Sequence, residues 1–522
     1  MLKKLHGRKL AVCLIGGAMY ALFSAFGWQA EHGGVIWAGG ALLVAALLVW
    51  PIAALLAVLL ERGYTRALRR EKTFRAGRAF AFILACYVPM FCVAFPGSFA
   101  YDVPYQLRQV VTGAYSTHHP LLHTLALGGL LQLGRALGDI NLGAALYTAL
   151  QMALLAGCFA LTCGSIARQS GARAAKRATV FFALYPLNMV MAVNATKDVL
   201  FGGFFALTLA LLNEIREKPA RGLALKIAAC GALAVMLRNN MVYAALVWLA
   251  ILTLGLRKGE KSAALAMLLA LAVGLCGNAA LKRATRAESG DMSEMLSWPI
   301  QQLARARLYD EERLTDAEKE AIDELMPGEA WACYDPTISD PVKFEFDTQA
   351  FRADVKKYVG VWLSVGKKCA GTYLDATMAL TYPFFYPYRE YRVSGYYVQM
   401  GMSDAYDAGW CDFDPPESRS LFPRALASLS WRFGAKGAMQ IPVVGWLFNM
   451  GVIVWTMLFF ALREMYWGRW RRFGTALLPV LLWGTFLLGP VMAGRYIYPF
   501  VCALPVLAAR PGRSVKEAAR HG

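Results

Sequence analysis

The chain has 522 residues, of which 57% are hydrophobic and 17% charged, and its mean hydropathy is +0.41. Such a composition excludes a disordered or ordinary soluble protein. The formal net charge of +19 invites nucleic acid as a partner, but the Lys and Arg residues sit in short clusters between apolar runs, as in membrane-protein loops.

Open backbone cannot face lipid unpaired, so the apolar runs must be helices or a closed barrel, and their length without strict alternation selects helices. The predicted fold is an all-α polytopic membrane protein with about 12 transmembrane helices, each near the length needed to cross the hydrocarbon core. The first run, behind Lys3, Lys4, Arg8 and Lys9, has the charge pattern of a signal peptide. So many further runs follow it that a retained first helix is the better reading. Spans are predicted over 10–27, 35–60, 79–95, 141–166, 178–193, 198–213, 222–237, 240–256, 262–279, 441–462, 474–490 and 493–509.

Basic clusters at the N-terminus and at 62–78, 168–177, 216–221, 257–261, 463–472 and 510–516 fall in every second loop. The positive-inside rule then puts both termini in the cytoplasm of a multi-pass protein, expected in the bacterial inner membrane. The stretch 120–137 would upset that alternation if it crossed. It is glycine-rich and interrupted by His123, Gln132 and Arg135, so it is read as a helix at the outer interface, or partly re-entrant. Three regions result: an N-terminal transmembrane region 1–279 containing a first outer loop 96–140, an extracytoplasmic segment 280–440, and a C-terminal transmembrane region 441–522.

In the extracytoplasmic segment Thr315 and Glu318 have capping-box spacing before a helix ending near Leu325, and 349–380 is helical and amphipathic. The run Tyr382–Tyr391, with Tyr396 and Tyr397, suits either a membrane interface or a small aromatic core. Cys333, Cys369 and Cys411 allow one disulfide and a leftover thiol, with the pairing open. The remaining cysteines lie mostly within apolar spans.

The polar residues that stand out cluster on the outer side of this topology. In the first outer loop Asp102 follows an apolar span and is succeeded by His118 and His119. An ionisable group so placed is a functional candidate by default. The duller alternatives are that Asp102 caps the helix after Pro104 and that the two histidines merely lead into a helix beginning at Pro120. Next comes Asn194-Ala195-Thr196-Lys197-Asp198, where Thr196 can cap the following span and Asp198 suits its positive end. Lys197 opposes that dipole, so a nearby anion is expected, a phosphate by its chemistry. Arg238 and Arg495 are either snorkelling helix ends or anion ligands, since a guanidinium fork fits phosphate oxygens.

These segments carry a resemblance. Tyr101 to Gln106, Tyr115 to Pro120, Asn194 to Asp198 and Trp298 to Arg305 are similar to a poorly characterised bacterial family of GT-C-like membrane proteins. The arrangement more broadly resembles the GT-C superfamily of integral-membrane glycosyltransferases, over roughly 80–510. The resemblance implies transfer of a sugar from a polyprenyl-phosphate-linked donor to a cell-envelope glycan, lipid or protein acceptor, with inversion at the anomeric carbon. It assigns Asp102 as general base, Asp198 as the second outer-loop acid, and His118 and His119 to the site. Lys197, Arg238 and Arg495 would hold the lipid phosphate, with Tyr105, Gln106, Gln301 and Gln302 as substrate contacts. Trp298 and the two glutamines 301 and 302 can equally pack the outer segment. Two spans precede the catalytic loop where many members have one, and the second outer loop has no Asp-X-Asp pair. A divalent cation therefore stays an open cofactor, and no His/Cys/carboxylate spacing supports zinc. The rival functions are a lipid-linked oligosaccharide polymerase or ligase, and a transporter or flippase of lipid-linked sugar.

Overall fold

The computed structural model describes residues 5–32, 40–62, 73–99, 102–253, 258–290, 292–387, 400–402, 415–434, 441 and 443–510. Tyr101, Cys411 and the part of the aromatic run from Tyr388 to Tyr397 lie outside the described residues. Among the described residues the fold is all-α, with isolated bridges but no strand.

In chain order the first helices are α1 (Arg8–His32), α2 (Gly40–Arg62) and α3 (Ala76–Ala94). Two short helices follow, α4 (Val103–Thr112) and α5 (Leu121–Ala136), before the long α6 (Ile140–Ser170). Then come α7 (Ala172–Leu184), α8 (Pro186–Ala192), α9 (Lys197–Glu217), α10 (Arg221–Leu237), α11 (Asn240–Thr253) and α12 (Lys258–Thr285). Among the described residues six helices, α1, α2, α3, α6, α9 and α12, are long and apolar enough to cross a membrane, and the chain is a membrane protein on that ground.

Several predicted spans are shorter or broken. The span expected over 178–193 is two helices, because Pro186 has no N–H to continue the ladder and drives Tyr185 to φ −66°, ψ 120°. The stretch 120–137 is a separate helix, α5, of 16 residues. It lies against α6 through two glycines: a Cβ on Gly134 would stand 2.3 Å from the Gly143 nitrogen, and one on Gly143 would stand 2.2 Å from the Leu130 carbonyl.

The polar segment folds on its own core of Ile300, Leu303, Ile322, Leu325, Val342 and Val365. It is built from α13 (Ser297–Tyr309), α14 (Asp316–Leu325), α15 (Asp340–Lys343), α16 (Thr348–Ala353), α17 (Val355–Lys368) and α18 (Ala370–Thr381). The predicted capping box is present: the Glu318 amide donates to Thr315 Oγ1 and the Thr315 amide to Glu318 Oε2. Cys333 and Cys369 are both free thiols. Tyr382, Phe384 and Phe385 are buried in the main helical core, with Phe385 5.0 Å from Phe23 of α1, so this part of the aromatic run is core.

After α19 (Pro423–Gly434) the chain returns through α20 (Met450–Tyr466), α21 (Trp470–Leu487) and α22 (Tyr498–Ala508). Helix α20 starts later than the predicted 441 because Asn449 caps it, its side chain accepting from the Val452 amide at 2.9 Å. The polar segment sits on these helices: Trp298 Nε1 donates to the Leu487 carbonyl at 2.7 Å and the Ser339 amide to that of Pro490 at 2.9 Å. A strap over 419–421 satisfies carbonyls at the end of α3, the Arg419 amide bonding Phe95 O and the Leu421 amide Cys92 O.

Candidate functional site

The chain leaves α3 in an extended turn whose backbone pairs with the segment before α9. The Ser98 amide donates to Val193 O at 2.8 Å, and the Ala195 amide to Ser98 O at 2.8 Å. This short pairing sets the start of α4 against the start of α9, although 95 residues separate Asp102 from Lys197. Asp102 stands at the N-cap of α4, but its carboxylate makes no capping bond. It turns instead to Lys197, whose Nζ donates to Oδ2 at 2.8 Å. Arg495, from the 3₁₀ turn Gly494–Ile497 ahead of α22, presents Nη1 to Oδ2 at 3.3 Å and Nη2 to Oδ1 at 3.4 Å.

Behind this pairing is a second, fully buried one. Asp198 has no exposed side-chain surface, and Arg238 Nε lies 2.7 Å from its Oδ1, in ion-pair contact outside hydrogen-bond alignment. Arg495 Nε lies 3.8 Å from Asp198 Oδ2, and the Thr196 hydroxyl donates to that oxygen at 3.3 Å. Thr196 is the N-cap of α9 by position yet makes no side-chain capping bond, so its hydroxyl serves Asp198. The Arg238 guanidinium packs beside the stacked rings of Phe486 and Tyr496, at 4.5 and 4.6 Å from their centroids. The site therefore contains three permanent cations and two carboxylates drawn from α4, α9, the end of α10 and the start of α22.

The titrations follow from this packing. Burial by itself would raise the Asp102 carboxyl, but the Arg495 guanidinium and the Lys197 ammonium outweigh it and hold it well below the ordinary carboxylate range. Burial pushes the His119 imidazole down to about 3; the pull of Asp102 is opposed by Lys197, His118 and Arg495. His119 is thus neutral, and its 3.7 Å approach to Asp102 is not an ion pair. Its Nδ1 instead faces the Lys197 ammonium at 3.4 Å as an acceptor. His118 is exposed, its ring edge-on to His119 at 4.5 Å.

Sequence reasoning missed a neighbouring polar chain. Gln106 is 1% exposed; its Nε2 donates to Thr124 Oγ1 at 3.0 Å, and its amide Nε2 and Oε1 lie 3.0 and 3.1 Å from His123 Nδ1. His123 Nε2 shares a hydrogen bond with the Tyr147 hydroxyl at 2.9 Å, and that hydroxyl donates to Gln151 Oε1 at 3.0 Å. The Gln151 amide donates to Ala192 O and Asn194 O at 3.0 and 2.9 Å. The chain links α4, α5 and α6 to the backbone ahead of Lys197. The available signal was Tyr147 and Gln151, polar and four apart on one face of an apolar helix.

Gln106 is therefore structural rather than a substrate contact, and Tyr105 projects outward at 56% exposure. Gln301 and Gln302 are not with the cluster either. Gln301 donates to Asp335 O, and Gln302 bonds Thr377 Oγ1 and Trp362 Nε1 inside the outer segment. Among the described residues no three His, Cys, Asp or Glu side chains are placed to hold a metal ion. Both site carboxylates face ammonium or guanidinium groups, an arrangement that repels a divalent cation.

A family model described as a family of unknown function, DUF6020, matches residues 111–521. His118, His119, Lys197, Asp198, Arg238 and Arg495 fall within that match, and Asp102 lies nine positions before it. No curated protein and no solved structure matches the chain.

Proposed function

For this chain, a member of the DUF6020 family, we propose a membrane glycosyltransferase that moves a sugar from a polyprenyl-phosphate-linked donor to a cell-envelope acceptor. The proposal includes about 12 spans, cytoplasmic termini and an extracytoplasmic site, from the alternation of basic loops. The observation that carries it is the convergence of Lys197, Arg238 and Arg495 on Asp102 and Asp198 beside the ends of apolar helices. Three cations against two carboxylates leave an excess of one positive charge.

That excess fits the chemistry. A sugar phosphodiester carries one negative charge, so donor and site together are neutral. In the transfer, the acceptor hydroxyl oxygen bonds the anomeric carbon and its proton passes to Asp102. The bond from that carbon to the phosphate oxygen breaks, and its electron pair leaves with the phosphate. The leaving monoester approaches two negative charges near pH 7. Asp102 has by then become neutral, leaving two positive charges in excess, and the balance is kept. Asp102 is the base because its side chain is 24% exposed, whereas Asp198 has no exposure and cannot reach an acceptor. Lys197 and Arg495 would stabilise the departing phosphate electrostatically.

The test is purified protein in liposomes with a panel of polyprenyl-phosphate sugars, reading release of free polyprenyl phosphate. Release that disappears in folded Asp102→Asn supports the proposal. Release that survives the substitution removes Asp102 as base. No release with any donor, together with movement of lipid between leaflets, replaces the enzyme with a transporter.

A further inference from the structure

The cation faces that should receive the donor phosphate are already occupied by the base. The Asp102 carboxylate meets both Nη atoms of Arg495 and the Lys197 ammonium at once. A guanidinium holds a phosphate through the same fork. The rest of Arg495, its Nε edge, faces Asp198, which is sealed in the protein with Arg238. Of the two carboxylates only Asp102 has access to solvent, and its side chain makes no capping bond that would tie it to the start of α4. Asp102 is thus the group able to yield, and Asp198 the one that keeps Arg238 and Arg495 in place when it does.

We propose that Asp102 sits in the seat of the donor phosphate, so that a lipid phosphomonoester or phosphodiester must displace it from Lys197 and Arg495 in order to bind. This rests on the glycosyltransferase reading and adds an order of events to it. A carboxylate clamped between an ammonium and a guanidinium is a poor proton acceptor. Once a phosphate takes those cations, the carboxylate regains basicity beside the newly bound sugar. The exchange puts the phosphate anion where the carboxylate was, so Lys197 and Arg495 keep an anionic partner throughout. His119 assists: its neutral Nδ1 remains an acceptor for Lys197 while Asp102 moves away. The donor therefore binds before the acceptor is deprotonated, and an acceptor arriving alone meets an inactive base.

The experiment measures binding of polyprenyl phosphate, without sugar or acceptor, to the full-length protein in nanodiscs. Asp102→Asn removes the competing anion and keeps the side-chain shape; it is expected to bind about tenfold tighter than the native protein, equal to ~1.4 kcal/mol. Asp102→Ser should tighten binding similarly and serves if the amide folds poorly. Lys197→Met should weaken binding. Asp139→Asn, a charge change in the same loop whose carboxylate is paired with Arg419, should leave it unchanged. Equal or weaker binding by both Asp102 variants, while Lys197→Met loses affinity, overturns the shared seat and leaves the transferase reading standing. Tightening by Asp139→Asn as large as that of Asp102→Asn also overturns it, because the effect would then be diffuse electrostatics. Absence of binding by the native protein and every variant overturns both readings.

Discussion

The buried pair Asp198–Arg238 offers a quantitative test of how the site is held together. At 2.7 Å, with an effective dielectric of about 20, the Coulomb attraction is about 6 kcal/mol. Desolvation of two groups that are 0% and 7% exposed offsets much of this. The net worth of the pair is therefore small, while the cost of breaking it is large. Asp198→Asn would leave Arg238 buried against Phe486 and Tyr496 without its counter-charge, and Arg495 without its inner partner. The expected destabilisation is about 3–5 kcal/mol, and Arg238→Gln, which strands the Asp198 carboxylate, should cost a similar amount. The double variant D198N/R238Q removes both charges and leaves two amides able to hydrogen-bond. It should be no less stable than either single variant, giving a coupling energy of at least about 3 kcal/mol. Unfolding of the three variants in detergent micelles, followed by loss of helicity, measures the cycle. A double variant that loses the sum of the two single losses would refute the reasoning, because the charges would then act independently.

Three further outcomes are expected. Gly134→Ala puts a methyl 2.3 Å from the Gly143 nitrogen, so α5 and α6 must separate; a loss of about 1–3 kcal/mol should appear in the same unfolding assay. Because the His119 pKa of about 3 in the fold lies below its ordinary 6.5, the unfolded chain binds more protons between those values and stability rises with pH there. Acidification from pH 6.5 to 4 should therefore destabilise the protein, and thermal melts of His119→Gln should show a shallower slope over that window. The stability contributed by Asp102 is present above its ordinary value of 3.8 and is lost only at lower pH, so it does not confuse the comparison. Cys333 is exposed in the polar segment and Cys369 is buried, so in a Cys411→Ser background a membrane-impermeant maleimide should label intact cells, and a further Cys333→Ser should abolish most of that label. Labelling that needs permeabilised cells would invert the proposed topology.

The sequence by itself determined the class of this protein and the identity of most residues in the cluster. Apolar runs must become helices wherever lipid replaces water as solvent, so α1, α2, α3, α6, α9 and α12 were legible from hydropathy alone. The capping box at Thr315 was equally legible, because its two hydrogen bonds are made within four residues. Asp102, Lys197, Asp198, Arg238 and Arg495 stood out because ionisable groups beside apolar helices are costly to retain. What each one does was decided only by the tertiary structure. Asp102 and Thr196 both occupy cap positions, and neither side chain caps: Asp102 turns to Lys197, 95 residues away, and the Thr196 hydroxyl to Asp198, itself held by Arg238. Gln301 and Gln302 read as either sugar ligands or packing residues, and the fold gives them hydrogen bonds within the polar segment. Of the link from Gln106 through His123, Tyr147 and Gln151 to the backbone before Lys197, the chain signalled only the polar pair Tyr147 and Gln151 and not their partners. A hydrogen bond between helices depends on rotation and register, which hydropathy does not encode; two glycines bring α5 close to α6, and one backbone pairing sets Asp102 beside Lys197.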